Sequence, residues 1–292
     1  MAIVPEVLFE TKSIVGEGPI WDQDNKVLYW IDIMGKELHT HVPATGSHDV
    51  KHLPKMVGTV VCRASGTLVL ALEDGFYDYD PKTDALTLIV EVEAELPANR
   101  FNDGKCDPAG RLWCGTMRIE EAGTDGSMYR LDADHSVHKM FSDVAISNGI
   151  CWSADAKTMY YVDTPTMKID AFDYDNVTGE IENRRLCCQV TEDEAWPDGM
   201  VIDEEGMLWV GHYFGRHMRR WDPNSGKCID KIEMPCSNIT GCAFGGDNLE
   251  VMYITSATHA LDDAQKAAEP LAGSLFVADA GVRGTTTPKY IG

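Results

Sequence analysis

Basic residues are scarce in this sequence. Its 292 residues include 25 Lys and Arg against 47 Asp and Glu, a formal net charge of −22. Proteins that bind nucleic acid carry basic patches, so the composition disfavours nucleic acid as a partner. The same negative field disfavours strongly anionic substrates, because it would repel them.

Long apolar runs are also missing. No stretch approaches the roughly 18–20 apolar residues that a membrane span needs, so we expect no membrane partner. The first six residues lack the basic and apolar regions of a secretory signal. The nine cysteines are odd in number and form no C-x-x-C pair, as expected for buried, reduced thiols. We therefore expect a cytoplasmic protein, either a monomer or a weak homo-oligomer.

A repeated step of a polar residue followed by glycine and an apolar run is the most prominent pattern present. It occurs at Glu17-Gly18, Asp103-Gly104, Asn148-Gly149, Asp198-Gly199 and Thr240-Gly241, with a weaker copy at Thr59 to Cys62. A period of about 40–50 residues built from short apolar runs is typical of a propeller. We predict an all-β protein with one domain over residues 1–292, a six-bladed β-propeller with four-stranded blades.

The last repeat ends soon after its third strand, so one outer strand is missing there. The alternating segment 6–11 precedes the first repeat and has no repeat of its own. We predict that it completes the last blade and closes the ring, which leaves no open sheet edge. The sequence Leu261 to Ala268 is predicted to form one or two helical turns in a loop of that blade.

The polar–Gly steps predict a functional site. In a propeller the innermost strand of each blade lines a central channel, so a residue just before that strand lies at one mouth. Carboxylates and amides gathered there repel one another unless a cation lies among them, and oxygen ligands suit a divalent cation. No histidine occupies an equivalent position, which argues against a zinc site built from histidines.

Other sources of chemistry have weaker support. The sequence has no G-x-S-x-G, H-E-x-x-H or P-loop motif. His39 and His41 alternate on a strand predicted toward the outside of a blade, where we expect a solvated face. His212 is expected to lie near the channel mouth in a structural role.

The whole chain resembles the gluconolactonase/regucalcin family, which also contains luciferin-regenerating enzymes. The segments that carry the resemblance are 16–21, 99–105, 107–111, 115–117, 146–150 and 197–200. The resemblance implies a six-bladed propeller with one divalent metal ion at the channel mouth. It further implies that Glu17, Asn148 and Asp198 bind the metal.

The same resemblance implies a substrate site. Arg100 and Asn102 match positions that hold the hydroxyl groups of a sugar lactone. A glutamate that follows Gly115-Thr116-Met117 also contacts substrate, and the spacing favours Glu120 over Glu121. Asp103 and Thr240 are expected to support the site.

The implied reaction is hydrolysis of an aldonolactone to the aldonic acid. The metal, which is Ca²⁺, Mg²⁺, Mn²⁺, Zn²⁺ or Fe²⁺, polarises the ring carbonyl, and either Asp198 or metal-held hydroxide is the base. A calcium-binding regulatory protein without important catalysis is the alternative. An esterase or organophosphate hydrolase on the same scaffold is a third hypothesis.

Overall fold

The computed structural model describes residues 3–292, which form 24 strands in six four-stranded antiparallel sheets. The innermost strands contact one another in ring order, so the all-β, six-bladed propeller is confirmed. Among residues 3–292, no helix has the length and apolar character to cross a membrane. All nine cysteines are free thiols.

Strand bounds follow the repeat. Blade one contains β2 (Gly16–Asp22), β3 (Val27–Asp32), β4 (Glu37–Val42) and β5 (Ser47–His52), and blade two contains β6 (Val57–Cys62), β7 (Leu68–Leu72), β8 (Gly75–Asp80) and β9 (Ala85–Glu91). Blade three contains β10 (Asn99–Cys106), β11 (Leu112–Arg118), β12 (Gly126–Leu131) and β13 (Val137–Val144), and blade four contains β14 (Ser147–Trp152), β15 (Thr158–Asp163), β16 (Lys168–Tyr174) and β17 (Ile181–Gln189). Blade five contains β18 (Trp196–Ile202), β19 (Leu208–Tyr213), β20 (His217–Asp222) and β21 (Lys227–Glu233). Blade six contains β22 (Ile239–Gly245), β23 (Val251–Ser256), β24 (Leu275–Asp279) and β1 (Glu6–Phe9).

The ring closes as predicted. β1 pairs antiparallel with β24, with Glu6 opposite Val277 and Val7 opposite Phe276. Among the residues that the structure describes, helical structure is confined to two short 3₁₀ turns, Thr164–Thr166 and Glu192–Glu194, and to α1 (Asp263–Ala268), which begins two residues later than predicted.

Every innermost strand has a β-bulge at or beside its polar–Gly step. The pairing with the second strand shifts between Glu17 and Ile20, Val57 and Thr59, Phe101 and Gly104, Ser147 and Ile150, Pro197 and Met200, and Ile239 and Cys242. The sequence had predicted that the polar residues precede the innermost strands. They lie inside these strands instead. A bulge changes the direction in which a side chain points. The repeated polar–Gly step therefore orients these side chains toward the channel.

The strand pairing also corrects the alignment of repeat three. Its bulge spans Asn102 and Asp103, whereas the bulge of blade four spans Asn148 and Gly149. Asn102 is therefore the residue equivalent to Asn148 and Asp198. Asp103 occupies a position that is glycine in blades four and five. At this position only a side chain such as that of Asp103 can add a carboxylate to the channel.

The last residues, 284–292, cross the end of the channel opposite the mouth. Gly284 bridges to Asp203 after β18, and Tyr290 bridges to Arg63 after β6. The Tyr290 hydroxyl donates to the Asp132 carbonyl at 2.7 Å, and Lys289 pairs with Asp22 at 2.8 Å. The segment thus joins blades one, two, three and five after the last strand has ended.

His39 and His41 do not form a solvated face, so that prediction was wrong. They are 2% and 4% exposed on β4. The His39 ring stacks on Trp30 with centroids 4.8 Å apart, and Phe9 of the closing strand stacks on His48 at 4.4 Å. Closure of the ring brings β1 over this side of blade one and excludes water from it.

Candidate functional site at the channel mouth

A cavity of about 230 Å³ lies at the channel mouth. Its lining includes Glu17, Arg100, Asn102, Asn148 and Asp198, so the structure brings these five expected site residues together. They come from blades one, three, four and five, and each is at most 6% exposed. Residues from four blades converge because each innermost strand starts at the same end of the channel.

Arg100, Asn102 and Asn148 form a hydrogen-bonded chain. Arg100 Nη1 donates to Asn102 Oδ1 at 2.6 Å, and Asn102 Nδ2 donates to the Ser147 carbonyl at 2.7 Å and to Asn148 Oδ1 at 3.2 Å. Burial lowers the pKa of Arg100 to about 10, and the nearby carboxylates of Glu121 and Glu17 oppose that shift. The guanidinium is therefore a buried positive charge beside the carboxylates.

Thr164 fixes the orientation of Asn148. The amide Nδ2 of Asn148 donates to the Thr164 hydroxyl at 2.8 Å, and that hydroxyl donates to the Pro197 carbonyl at 2.8 Å. The Asn148 nitrogen is thereby held by Thr164, and its oxygen faces Asn102. Thr164 opens the first 3₁₀ turn, directly after β15, and no sequence signal identified it.

Two buried carboxylates, Glu17 and Asp198, line the cavity, and the charge of a third, Asp103, acts on both. Burial raises the pKa of Glu17, and the charge of Asp103 raises it further. Burial also raises the pKa of Asp198, with additional contributions from the charges of Glu17 and Asp103. Asp198 Oδ1 is buried and has no hydrogen-bond partner among the described residues. This orphaned oxygen and the mutual repulsion are the expected features of a site built to face a positive charge.

The donor set fits a hard divalent cation. Glu17 and Asp198 supply carboxylate oxygens, and the held amide of Asn148 supplies a third oxygen. Within residues 3–292 no group of three His, Cys, Asp or Glu side chains has the geometry of a metal site, but this set contains only two such residues. All-oxygen sites of this kind suit Ca²⁺, Mg²⁺ and Mn²⁺.

The structure separates the two candidate glutamates. The Glu120 side chain is 79% exposed, lies 3.8 Å from Arg118 Nη2 and does not line the cavity. Glu121 lines the cavity, with its Oε1 3.9 Å from His259 Nδ1. The backbone of Glu121 has φ of 55°, and this left-handed turn places adjacent side chains on different sides.

Thr240 and His212 have the supporting positions expected of them. The Thr240 hydroxyl donates to the Gly16 carbonyl at 2.5 Å, next to Glu17. His212 is fully buried, with Nδ1 2.6 Å from the Glu194 carbonyl, and burial lowers its pKa to about 3. It stays neutral and packs on Trp221.

Several lining residues were missed by the sequence reasoning. Trp196, Tyr213, Phe214 and His259 form an aromatic part of the cavity lining, in addition to the charged residues. Tyr213 lies in the segment next to His212, but no repeated pattern marks any of the four. They occupy loop and strand-end positions where the blades differ from one another.

The fold and this site define a class, a six-bladed propeller with an oxygen-lined channel mouth. The family described as "SMP-30/Gluconolactonase/LRE-like region" matches residues 15–258. Regucalcin of Xenopus laevis is 39% identical, over 98% of this chain and 97% of its own. A Bacillus subtilis protein named "Putative sugar lactone lactonase YvrE" is 37% identical, over 97% of both chains. This chain belongs to that family.

Solved structures agree. A luciferin-regenerating enzyme superposes with a TM-score of 0.94 at 35% identity, over 99% of this chain and 100% of the other. A regucalcin from Agrobacterium tumefaciens, described as a calcium-binding protein, superposes with a TM-score of 0.95 at 33% identity, over 99% and 98%.

Proposed function

We propose that the protein is a metal-dependent lactonase that hydrolyses a sugar lactone to its hydroxy acid. The observation that carries the proposal is the unpartnered, buried Oδ1 of Asp198, in a cavity whose lining also includes Asn148 and the buried Arg100. The name of the Bacillus subtilis relative supports the reaction class. Glu17, Asn148 and Asp198 would hold the metal.

A divalent cation bound there supplies a Lewis acid that polarises the lactone carbonyl. The protein supplies the orientation. Arg100 presents guanidinium donors and Asn102 an amide to the hydroxyl groups of the sugar ring. Glu121, rather than Glu120, is the carboxylate that accepts from a ring hydroxyl, because Glu121 lines the cavity.

Asp198 is the base. The carboxylate oxygen of Asp198 that does not bind the metal accepts the proton of the water that attacks the carbonyl carbon, and it later returns that proton to the ring oxygen as the C–O bond breaks. Burial and the charges of Glu17 and Asp103 raise the pKa of Asp198, and a cation held beside it would oppose that shift and keep the carboxylate ionised, so that it can accept the proton.

Acid release from a panel of sugar lactones tests the proposal. The protein is first stripped with chelator and then supplied with single divalent metals. We expect turnover that needs the metal and that falls by about 10²–10⁴-fold in Asp198→Asn, the range for loss of a general base. Glu121→Gln should raise KM, whereas Glu120→Gln should leave it unchanged. Metal-independent turnover, or full activity in Asp198→Asn, would exclude this mechanism.

Calcium binding without turnover is the second candidate function. The all-oxygen donor set and the calcium-binding description of the Agrobacterium tumefaciens relative favour it. A pure ion binder has no use for Arg100 and Asn102 in the cavity. Calcium binding that is unchanged by Arg100→Leu, in a protein that hydrolyses no lactone, would support this candidate.

A further inference from the structure

The cavity at the channel mouth has an aromatic side that the proposed chemistry does not use. Trp196 and Phe214 line it and are 46% and 43% exposed. Arg100 and Glu121 come from blade three, whereas both aromatic residues come from blade five. We call Trp196 and Phe214 the aromatic rim.

The rim is held in place by its neighbours. Trp196 is the first residue of β18 and lies opposite Tyr213. The Trp196 and Phe214 rings meet edge to face with centroids 6.3 Å apart, and Phe214 meets Tyr213 in the same way at 4.8 Å. The Tyr213 hydroxyl donates to the His259 carbonyl at 2.9 Å, which ties the group to blade six.

Unfavourable backbone conformations accompany both aromatic residues. Ala195, just before Trp196, has φ of 64° and ψ of −173°, a region occupied almost only by glycine. Phe214 has φ of 62°, which is rare for a bulky side chain. Such conformations persist where the surroundings impose them, and they concentrate at ligand-binding positions.

A free sugar lactone gives the rim little to bind beyond the C–H groups of its ring. Half-exposed indole and phenyl rings at the edge of a polar cavity are typical of a site for a ligand with an apolar part. The polar residues fix one end of such a ligand, and the rim covers the other.

We propose that the natural substrate is a lactone bearing an apolar substituent, an alkyl or aryl group, which lies on Trp196 and Phe214 while the ring faces Arg100 and Asn102. This inference rests on the proposed lactonase function and specifies its substrate class. Trp196 and Phe214 are then residues that determine specificity, and they take no part in bond breaking.

A pair of lactones tests the inference. One is a polyhydroxylated six-membered lactone, and the other has the same ring with a butyl group in place of the terminal hydroxymethyl group. We expect kcat/KM to be about tenfold higher for the butyl lactone, in the lower part of the range for apolar pockets because the rim is half exposed. Trp196→Ala should abolish this preference through a loss on the butyl lactone alone.

Phe214→Gly is the second variant. Glycine adopts a positive φ freely, so the variant should keep its melting temperature while it loses preference for the butyl lactone. Leu186→Ala, which also truncates an exposed apolar side chain but on an outer strand, is the matched control and should change neither quantity. Equal losses on both lactones in Trp196→Ala would overturn the inference, since the rim would then bind the ring itself.

Binding of the two corresponding lactams, measured by calorimetry, separates this inference from the lactonase proposal. Tighter binding of the butyl lactam that disappears in Trp196→Ala supports the rim whether or not the lactones are hydrolysed. Absence of turnover for both lactones with every metal refutes the lactonase proposal. Equal binding of the two lactams refutes the proposed role of the aromatic rim and leaves the lactonase proposal standing.

Discussion

At the scale of single residues, the proposed metal ligands depend on the neighbouring groups that orient them. The Asn148 amide could face the channel with either its oxygen or its nitrogen, and only the oxygen serves a cation. Thr164 and Asn102 together decide between them, because the Thr164 hydroxyl accepts from Nδ2 and donates to the Pro197 carbonyl, while the Asn148 oxygen accepts from Asn102. The position of Thr164 beside a proposed ligand leads to a prediction about metal affinity.

We predict that Thr164→Val lowers divalent metal affinity by about 10–100-fold, the usual effect of removing a group that orients a metal ligand. Valine has the shape of threonine without its hydroxyl, so Asn148 loses the partner that holds its amide nitrogen. Calorimetric titration of metal into stripped protein measures the effect. Thr164→Ser keeps the hydroxyl and should retain the affinity. Equal affinities for the valine variant and the unmodified protein would contradict this role.

Sequence reasoning predicted most of the residues at the mouth but not the relations between them. Asp103-Gly104 looks like Asn148-Gly149 in the sequence, yet strand pairing makes Asn102 the equivalent of Asn148. A bulge adds an unpaired residue, and its place depends on the partner strand, which the local sequence does not specify. Trp196 lies two residues before Asp198, as Arg100 lies two residues before Asn102, but the residue type at this position differs between the blades, so no repeated pattern revealed it.

At the scale of strands, the most informative element is the first one. The alternating segment before repeat one had no repeat of its own, so its pairing with β24 could be predicted. The contact of this strand with blade one could not be predicted, because Phe9 contacts His41 and His48 only after the ring has closed. His39 and His41 alternate in the sequence like solvent-facing residues, but closure of the ring buries them.

The stacked histidines predict a pH-dependent stability. Burial, with smaller contributions from His48 and His52, lowers the pKa of His39 from 6.5 to about 4, while Glu37 Oε2 lies 3.2 Å from Nε2. Between pH 6.5 and about pH 4, the unfolded chain therefore binds a proton at His39 that the folded protein does not bind. The contribution of His39 to stability is present above pH 6.5 and is lost as pH falls toward 4, by about 3 kcal/mol in total.

Urea unfolding at pH 7.5 and pH 5.0 checks this effect. The free energy of unfolding should fall more in the unmodified protein than in His39→Phe, whose ring can stack on Trp30 without titrating. His138→Gln replaces a half-exposed histidine of an outer strand and is the control. The same pH dependence in the unmodified protein and in His39→Phe would show that folding does not lower the pKa of His39.

At the scale of the whole molecule, the charge of −22 surrounds a site that converts a neutral lactone into a carboxylate under the proposed function. Such a field repels the anionic product and leaves the neutral substrate unaffected. The acidic surface would therefore assist release of the product from a channel whose other end is crossed by residues 284–292. Salt screens this repulsion over a distance of about 10 Å at 0.1 M.

We predict that product inhibition strengthens with salt while substrate affinity does not change. Between 10 and 300 mM monovalent salt, the inhibition constant of the hydroxy acid should fall by about two- to fivefold, because screening removes the repulsion that keeps the anion out. Initial rates at varied product concentration, at constant metal saturation, measure it. The neutral lactam of the same ring serves as the control inhibitor and should bind equally at both salt concentrations. Parallel changes for the acid and the lactam would mean that salt alters the site itself, and the acidic surface would then have no role in product release.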